Sequence, residues 1–168
     1  VWDARRTELE NMLRFLTGDF WSLQFQPGGA KQPNVKKPEK HIADCVCLLS
    51  GGIDSLVGAI DLTTSGKKPL FVSQVVRGDR DTQAKFASAL GGSGHHYQWS
   101  FAVQHPGISE KSTRARSIVF FAFAALAASA LQSTKKQPVE IVVPENGFIS
   151  LNVPLGPGRL GSLSTKTT

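Results

Sequence analysis

Ser50-Gly51-Gly52-Ile53-Asp54-Ser55 sets two hydroxyls, two adjacent glycines and a carboxylate in one short run. Paired glycines let a backbone turn sharply and bring its N–H groups close to an anion. A helix beginning near Ser55 would add free N–H donors and the positive end of its dipole. Ser50 and Ser55 supply hydroxyls that can donate to phosphate oxygens. Asp54 is repelled by phosphate unless a cation lies between them, so it predicts either a Mg²⁺ ion or a hydrogen bond that holds the loop shut. The run lacks the lysine followed by Ser or Thr of a Walker-type loop, which argues against transfer of a γ-phosphate.

Other chemistry-bearing residues are spread along the sequence. Arg114 and Arg116 open a long apolar run, where a guanidinium could pair bidentately with phosphate or carboxylate, or simply be solvated. Glu145, Asn146 and Gly147 follow a short valine-rich run and read either as a substrate or Mg²⁺ site or as a plain turn. Residues 159–168 combine glycine and hydroxyls with Arg159 and Lys166. With Ser162, that composition suits an anion-gripping loop or a polar tail. His95 and His96 are expected at the surface. Cys45 and Cys47, two apart in an apolar run, would share one face of a strand, where a core suits them better than a strain-free disulfide. Both are read as buried thiols of a cytoplasmic protein, and the pair alone has too few neighbours to hold zinc.

A phosphate cradle needs a strand before it and a helix after it. Residues 43–49 form an apolar run fit for a buried parallel strand, and 55–64 a helix with Leu56, Ile60 and Ala59 turned inward. Further strands are expected at 69–76, 96–103 and 139–143. Between them fall helices at 79–90, with Ala84, Ala87 and Leu90 inward, and at 112–131. Strands alternating with helices predict an α/β fold, a parallel sheet with helices on both faces. Ligands of such sheets bind beyond the carboxyl ends of the strands, which places 50–55, 114–116 and 145–147 at one edge. Upstream, 1–16 carries Leu9, Met12, Leu13 and Leu16 at helical spacing with Gly18 to end the helix, and 19–26 alternates like a short strand. The Gly, Pro, Lys and Asn of 27–40 read as a linker.

Composition sets outer bounds. With 40% hydrophobic and 19% charged residues the chain belongs with globular rather than disordered proteins. Its net charge of +6 favours anionic partners without choosing among nucleotides, phosphates and nucleic acid. The apolar run 118–131 is too short to cross a bilayer and predicts a buried helix, so no membrane partner is expected. The N-terminus does not read as a signal peptide. Beginning at Val1 and stopping at Thr168 in a polar run, the sequence is expected to be part of a longer chain.

Ser50–Ser55 is a full copy of the SGGxDS signature of the PP-loop ATP pyrophosphatases, and the chain resembles that superfamily. The resemblance implies ATP and Mg²⁺ as cofactors, a Rossmann-like fold of the adenine nucleotide alpha hydrolase type, and attack of a substrate on the α-phosphate with release of pyrophosphate. Residues 43–56 and the helix from Arg114 further resemble the 7-cyano-7-deazaguanine synthases, the QueC family, with Ser117 where Asn is usual. Residues 16–25, 144–155 and 159–168 are similar to the QueC-like proteins of Qat-type bacterial anti-phage systems. This implies a carboxylate of the 7-deazapurine type as substrate, activated as its adenylate and resolved by an amine or ammonia, with Asp54 and Arg116 in catalytic roles. Other defence-system proteins are implied as partners. The synthases carry a four-cysteine zinc site near their C-terminus, and no such cluster stands here, so the resemblance stops short of nitrile formation. The organisation expected is an N-terminal helix and strand (1–26), a linker (27–40) and an ATP-binding PP-loop domain (41–168). Two alternatives stand beside this reading: a PP-loop enzyme that modifies tRNA, and a nucleotide-binding module without turnover.

Overall fold

The computed structural model describes residues 2–29, 41–75, 78–101, 116–135 and 138–145. They belong to two compact units, one containing the N-terminal segment and the first residues of the long apolar helix, the other containing the sheet. In the first, a single 3-10 turn (Asp3–Arg5) runs into helix α1 (Arg6–Thr17). Gly18 closes α1 at φ 79°, a left-handed conformation suited to glycine, and its N–H donates to the Arg14 carbonyl.

The strand expected over 19–26 does not form. The segment is held instead by side chains of α1. Trp21 Nε1 donates to Thr17 Oγ1 at 2.9 Å and the Leu23 N–H to Glu10 Oε1 at 2.8 Å. The Arg14 guanidinium sits 4.1 Å from the centre of the Phe20 ring. Alternation describes an extended backbone, but a strand also needs a partner ladder, and none reaches these residues among those described.

In the second unit, β1 (Cys45–Leu48), β2 (Pro69–Gln74), β3 (His96–Trp99) and β4 (Glu140–Val142) form one open parallel sheet in the order β3-β2-β1-β4. Helices α2 (Ile53–Thr64) and α3 (Arg80–Ala89) connect β1 to β2 and β2 to β3, and the chain between β3 and β4 contains α4 (Arg116–Lys135). The fold is therefore α/β. Side chains alternate across the strands, and the two faces have separate cores. Val46, Leu48, Leu70 and Val72 pack with Ala124, Ala127, Ala128 and Leu131 of α4. Cys47, Leu49 and Phe71 pack with Ala59 of α2 and Ala87 of α3. Helices thus cover both faces. A chain that steps one way along the sheet with its helices on one face and then reverses onto the other keeps a single crossover hand.

Both cysteines are free thiols and fully buried, as expected from the sequence. Burial, with Cys45 adding to it, pushes the Cys47 thiol up to about 12. Two inward assignments change, and the helix expected to be buried is buried in part. In α2 the buried positions are Ser55 and Ala59, and Ile60 is exposed. Ser55 and Ala59, one turn apart, take the sheet side, and Ile60 lies about 100° further round the helix. In α3 the buried pair is Gln83 and Ala87, and Ala84 lies outside. Along α4 the sheet side is buried, whereas Phe121 and Leu126 are exposed among the described residues. No helix among the described residues is long and apolar enough to cross a membrane.

Candidate functional site

Strand β1 lies between β2 and β4, so the strand order, which steps from β1 through β2 to β3, reverses to the other side of β1 at β4. In open parallel sheets that reversal leaves a crevice beyond the carboxyl ends of the strands, where ligands bind. The residues after β1 are Leu49 and the Ser50–Ser55 loop; those after β4 are Val143, Pro144 and Glu145.

The loop is fixed from behind. The Leu49 N–H donates to the Val72 carbonyl at 2.9 Å, and the Leu49 carbonyl accepts from Ser73 Oγ at 2.6 Å. His96 Nε2 stands 2.8 Å from the same hydroxyl. Since the Ser73 proton goes to Leu49, the imidazole must donate, which sets its Nε2–H tautomer. Burial lowers the His96 pKa and keeps the ring neutral. His96 is half-buried and structural, not the surface residue expected.

Gly51 takes φ 92°, a region that favours glycine, and Gly52 is the extended N-cap of α2. Ser50 Oγ donates to Ser55 Oγ at 3.1 Å, and Ser55 Oγ donates to the Gly52 carbonyl at 2.8 Å. Ser55 is buried, so in this arrangement its hydroxyl shapes the loop from inside. Ser50 is partly exposed, as is Asp54 in the first turn of α2, while Ile53 is exposed. The N–H groups of that first turn have no partners within the helix, and an anion resting on the loop would meet them.

On the β4 side, Asp54, Val57, Gly58, Asp61, Pro144 and Glu145 line a cleft of about 350 Å³. The structure therefore brings together two residues singled out separately, Asp54 and Glu145, and adds Asp61. The lining contains carboxylates and no basic side chain, so a polyphosphate fits there only with a cation between. The three do not converge as a metal-ligand set among the described residues.

Gln83 was not foreseen. It is fully buried in α3, and its Nε2 donates to the Ser50 carbonyl at 3.1 Å and the Gln74 carbonyl at 3.0 Å. Gln98 of β3 donates to Gln83 Oε1 at 3.2 Å and to the Arg80 carbonyl at 2.8 Å. A signal existed: Gln83, Ala87 and Leu90 follow an i, i+4, i+7 spacing. Gln74, at the end of β2, is nearly buried, and its Oε1 has no partner. An orphaned buried acceptor at a strand's carboxyl end is what a ligand N–H would satisfy.

Arg116 is the first residue of α4, and its side chain lies outside the described residues, as do Arg114, Asn146, Gly147, Arg159, Ser162 and Lys166. Comparison with protein-family models, curated proteins and solved structures finds no match to this chain.

Proposed function

We propose that this chain carries an ATP-binding PP-loop domain of the Rossmann-like, adenine nucleotide alpha hydrolase type, and that it activates a carboxylate by adenylation. The carrying observation is the Ser50–Ser55 run, which leaves a buried parallel strand and enters a helix at the reversal of strand order. The two glycines turn the loop, the first turn of α2 offers its N–H groups to the phosphates, and Asp54 faces the cation that accompanies them. The absence of a Walker lysine in this loop favours α-phosphate chemistry over transfer of the terminal phosphate. A carboxylate oxygen attacks the α-phosphorus, the bond to the β-phosphate breaks, and pyrophosphate leaves. An amine or ammonia then attacks the acyl carbon and AMP departs.

A 7-deazapurine carboxylate as substrate, and a role in anti-phage defence, rest on the resemblance to the QueC-like proteins. The test is pyrophosphate release from ATP and Mg²⁺ with 7-carboxy-7-deazaguanine against other carboxylates. Release should rise with that compound and fall at least tenfold in Ser50→Ala and Asp54→Ala. Turnover that survives both substitutions would place the nucleotide elsewhere. ATP binding without pyrophosphate release for any carboxylate would leave a nucleotide-binding module.

A further inference from the structure

We infer that Gln83 is the positioning residue of the nucleotide loop, holding the Ser50–Gly51 peptide so that the Gly51 N–H points into the anion cradle. The inference rests on the ATP-site reading and adds a residue that neither the loop motif nor the resemblance contains.

Gln83 reaches the loop from α3, the helix after the neighbouring strand, and spends no donor on solvent: it is fully buried. Its two amide hydrogens go to two carbonyls, Ser50 O at 3.1 Å and Gln74 O at 3.0 Å, which joins the cradle to the end of β2. Its oxygen is held in turn by Gln98 Nε2 at 3.2 Å, and Gln98 is anchored on the Arg80 carbonyl at 2.8 Å. The amide orientation is thus fixed from both ends, because only Nε2 can donate to the two carbonyls and only Oε1 can accept from Gln98.

A trans peptide is planar, with its C=O and its N–H directed to opposite sides. Drawing the Ser50 carbonyl back toward α3 therefore turns the Gly51 N–H away from it. Rotation of that peptide would turn the N–H inward and leave a carbonyl oxygen facing an incoming phosphate, which repels it. Gly51 makes the arrangement possible at φ 92°, and a Cβ there would stand 3.3 Å from Gln83 Cγ, so the glycine and the glutamine are packed as a unit.

The experiment measures ATP·Mg²⁺ binding by calorimetry for the wild type, Gln83→Met and Gln83→Glu, with folding followed by circular dichroism. Gln83→Met keeps the bulk and removes both donors, and its Kd should rise roughly tenfold or more because the binding-competent peptide orientation is no longer held. Gln83→Glu preserves the shape and keeps one O–H donor only when protonated. Its ionised form faces two carbonyl oxygens, so its affinity relative to wild type at the same pH should recover as the pH is lowered. A role limited to stability would restore the folded fraction followed by circular dichroism as the pH falls but leave the Kd of the folded protein unchanged. If Gln83→Met does not fold, Gln83→Glu decides alone. Wild-type affinity in the folded variants, with Ser50→Ala still impaired, overturns the inference and leaves the ATP site standing. Failure of the wild type itself to bind ATP overturns both.

Discussion

Gly58 lies in the middle of α2, where the helix meets the end of β4. A Cβ added there would fall 2.4 Å from Pro144 Cβ and 2.8 Å from Pro144 Cγ. Carbon atoms rest at about 3.5–4.0 Å, so Gly58→Ala forces Pro144 to retreat by roughly 1 Å or more. The proline ring is tied to its own backbone, so the retreat must carry the main chain beside Glu145. Two effects oppose each other. Alanine in a helix interior is favoured over glycine by about 0.8–1 kcal/mol, whereas overpacking of this kind costs about 1–3 kcal/mol. Steric overlap should win, for a net loss of about 1 kcal/mol and a fall in Tm of roughly 2–4 °C for a chain of this size. Thermal and urea unfolding of Gly58→Ala measure it. Pairing it with Pro144→Gly removes both clashing atoms, and in that background Gly58→Ala should reverse sign and stabilise by its helix propensity. A higher Tm for Gly58→Ala alone would refute the close seating of Pro144 on α2. The wall of the carboxylate-lined cleft would then be built differently.

Three further outcomes follow from the same contacts. Gly51→Ala should weaken ATP binding and cost about 1–2 kcal/mol of stability, since a side chain at φ 92° is strained; equal affinity in calorimetry would show that the loop tolerates another backbone path. The Cys47 thiol, raised from its ordinary 9.0 to about 12 by burial, stays protonated in the fold while it ionises in the unfolded chain. The stability it contributes is complete below pH 9.0 and is lost as the pH rises toward 12, with a slope of about 1.4 kcal/mol per pH unit that Cys47→Ala should abolish in urea melts at graded alkaline pH. For His96, lowered by burial from 6.5, the sign is opposite: the unfolded state takes up the proton first, so stability falls as the pH drops below 6.5, and an imidazole titration by NMR should give a midpoint below that value.

The loop and its flanks were legible because each level of pattern agreed. A continuous apolar run, paired glycines and a helical period meet at Ser50–Ser55, and the resulting β1–loop–α2 unit is local in sequence. What sequence could not place were the residues whose position depends on distant partners. Gln83 looks like a solvated helix residue until three elements converge on its amide, since a buried glutamine is acceptable only when its donors and acceptor are all met. Ala84 and Ile60 were natural choices for an inward face, but Gln83 and Ser55, each one turn before a buried alanine, take the inward places. Residues 19–26 alternate as a strand does, yet the backbone N–H groups of Asp19 and Leu23 donate to the Thr17 and Glu10 side chains and not to a ladder. Glu145 was identified from its place after a strand; that it shares a cleft with Asp54 and Asp61 required the order of β1 and β4.

The two flanks of the loop are built on different physics, and this bears on how a nucleotide would be selected. Toward α3 the Leu49 and Ser50 carbonyls are fixed by Ser73 and Gln83, both fully buried, so the cradle exists before any ligand arrives. Binding to it costs little ordering entropy, and the gain is common to any phosphate. Toward β4 the wall is a three-residue strand at the edge of the sheet among the described residues, a proline seated on a glycine, and the side chains of Asp54, Asp61 and Glu145. On the ATP-site reading proposed above, discrimination would fall to the β4 side. An anion without its cation is repelled there, whereas a metal-bound polyphosphate turns the same carboxylates into attraction. Affinity for ATP should accordingly depend on Mg²⁺ more steeply in the wild type than in an Asp54→Asn, Glu145→Gln pair. Calorimetry with and without the metal would measure that difference, and an equal dependence in both proteins would remove the acidic wall from the site.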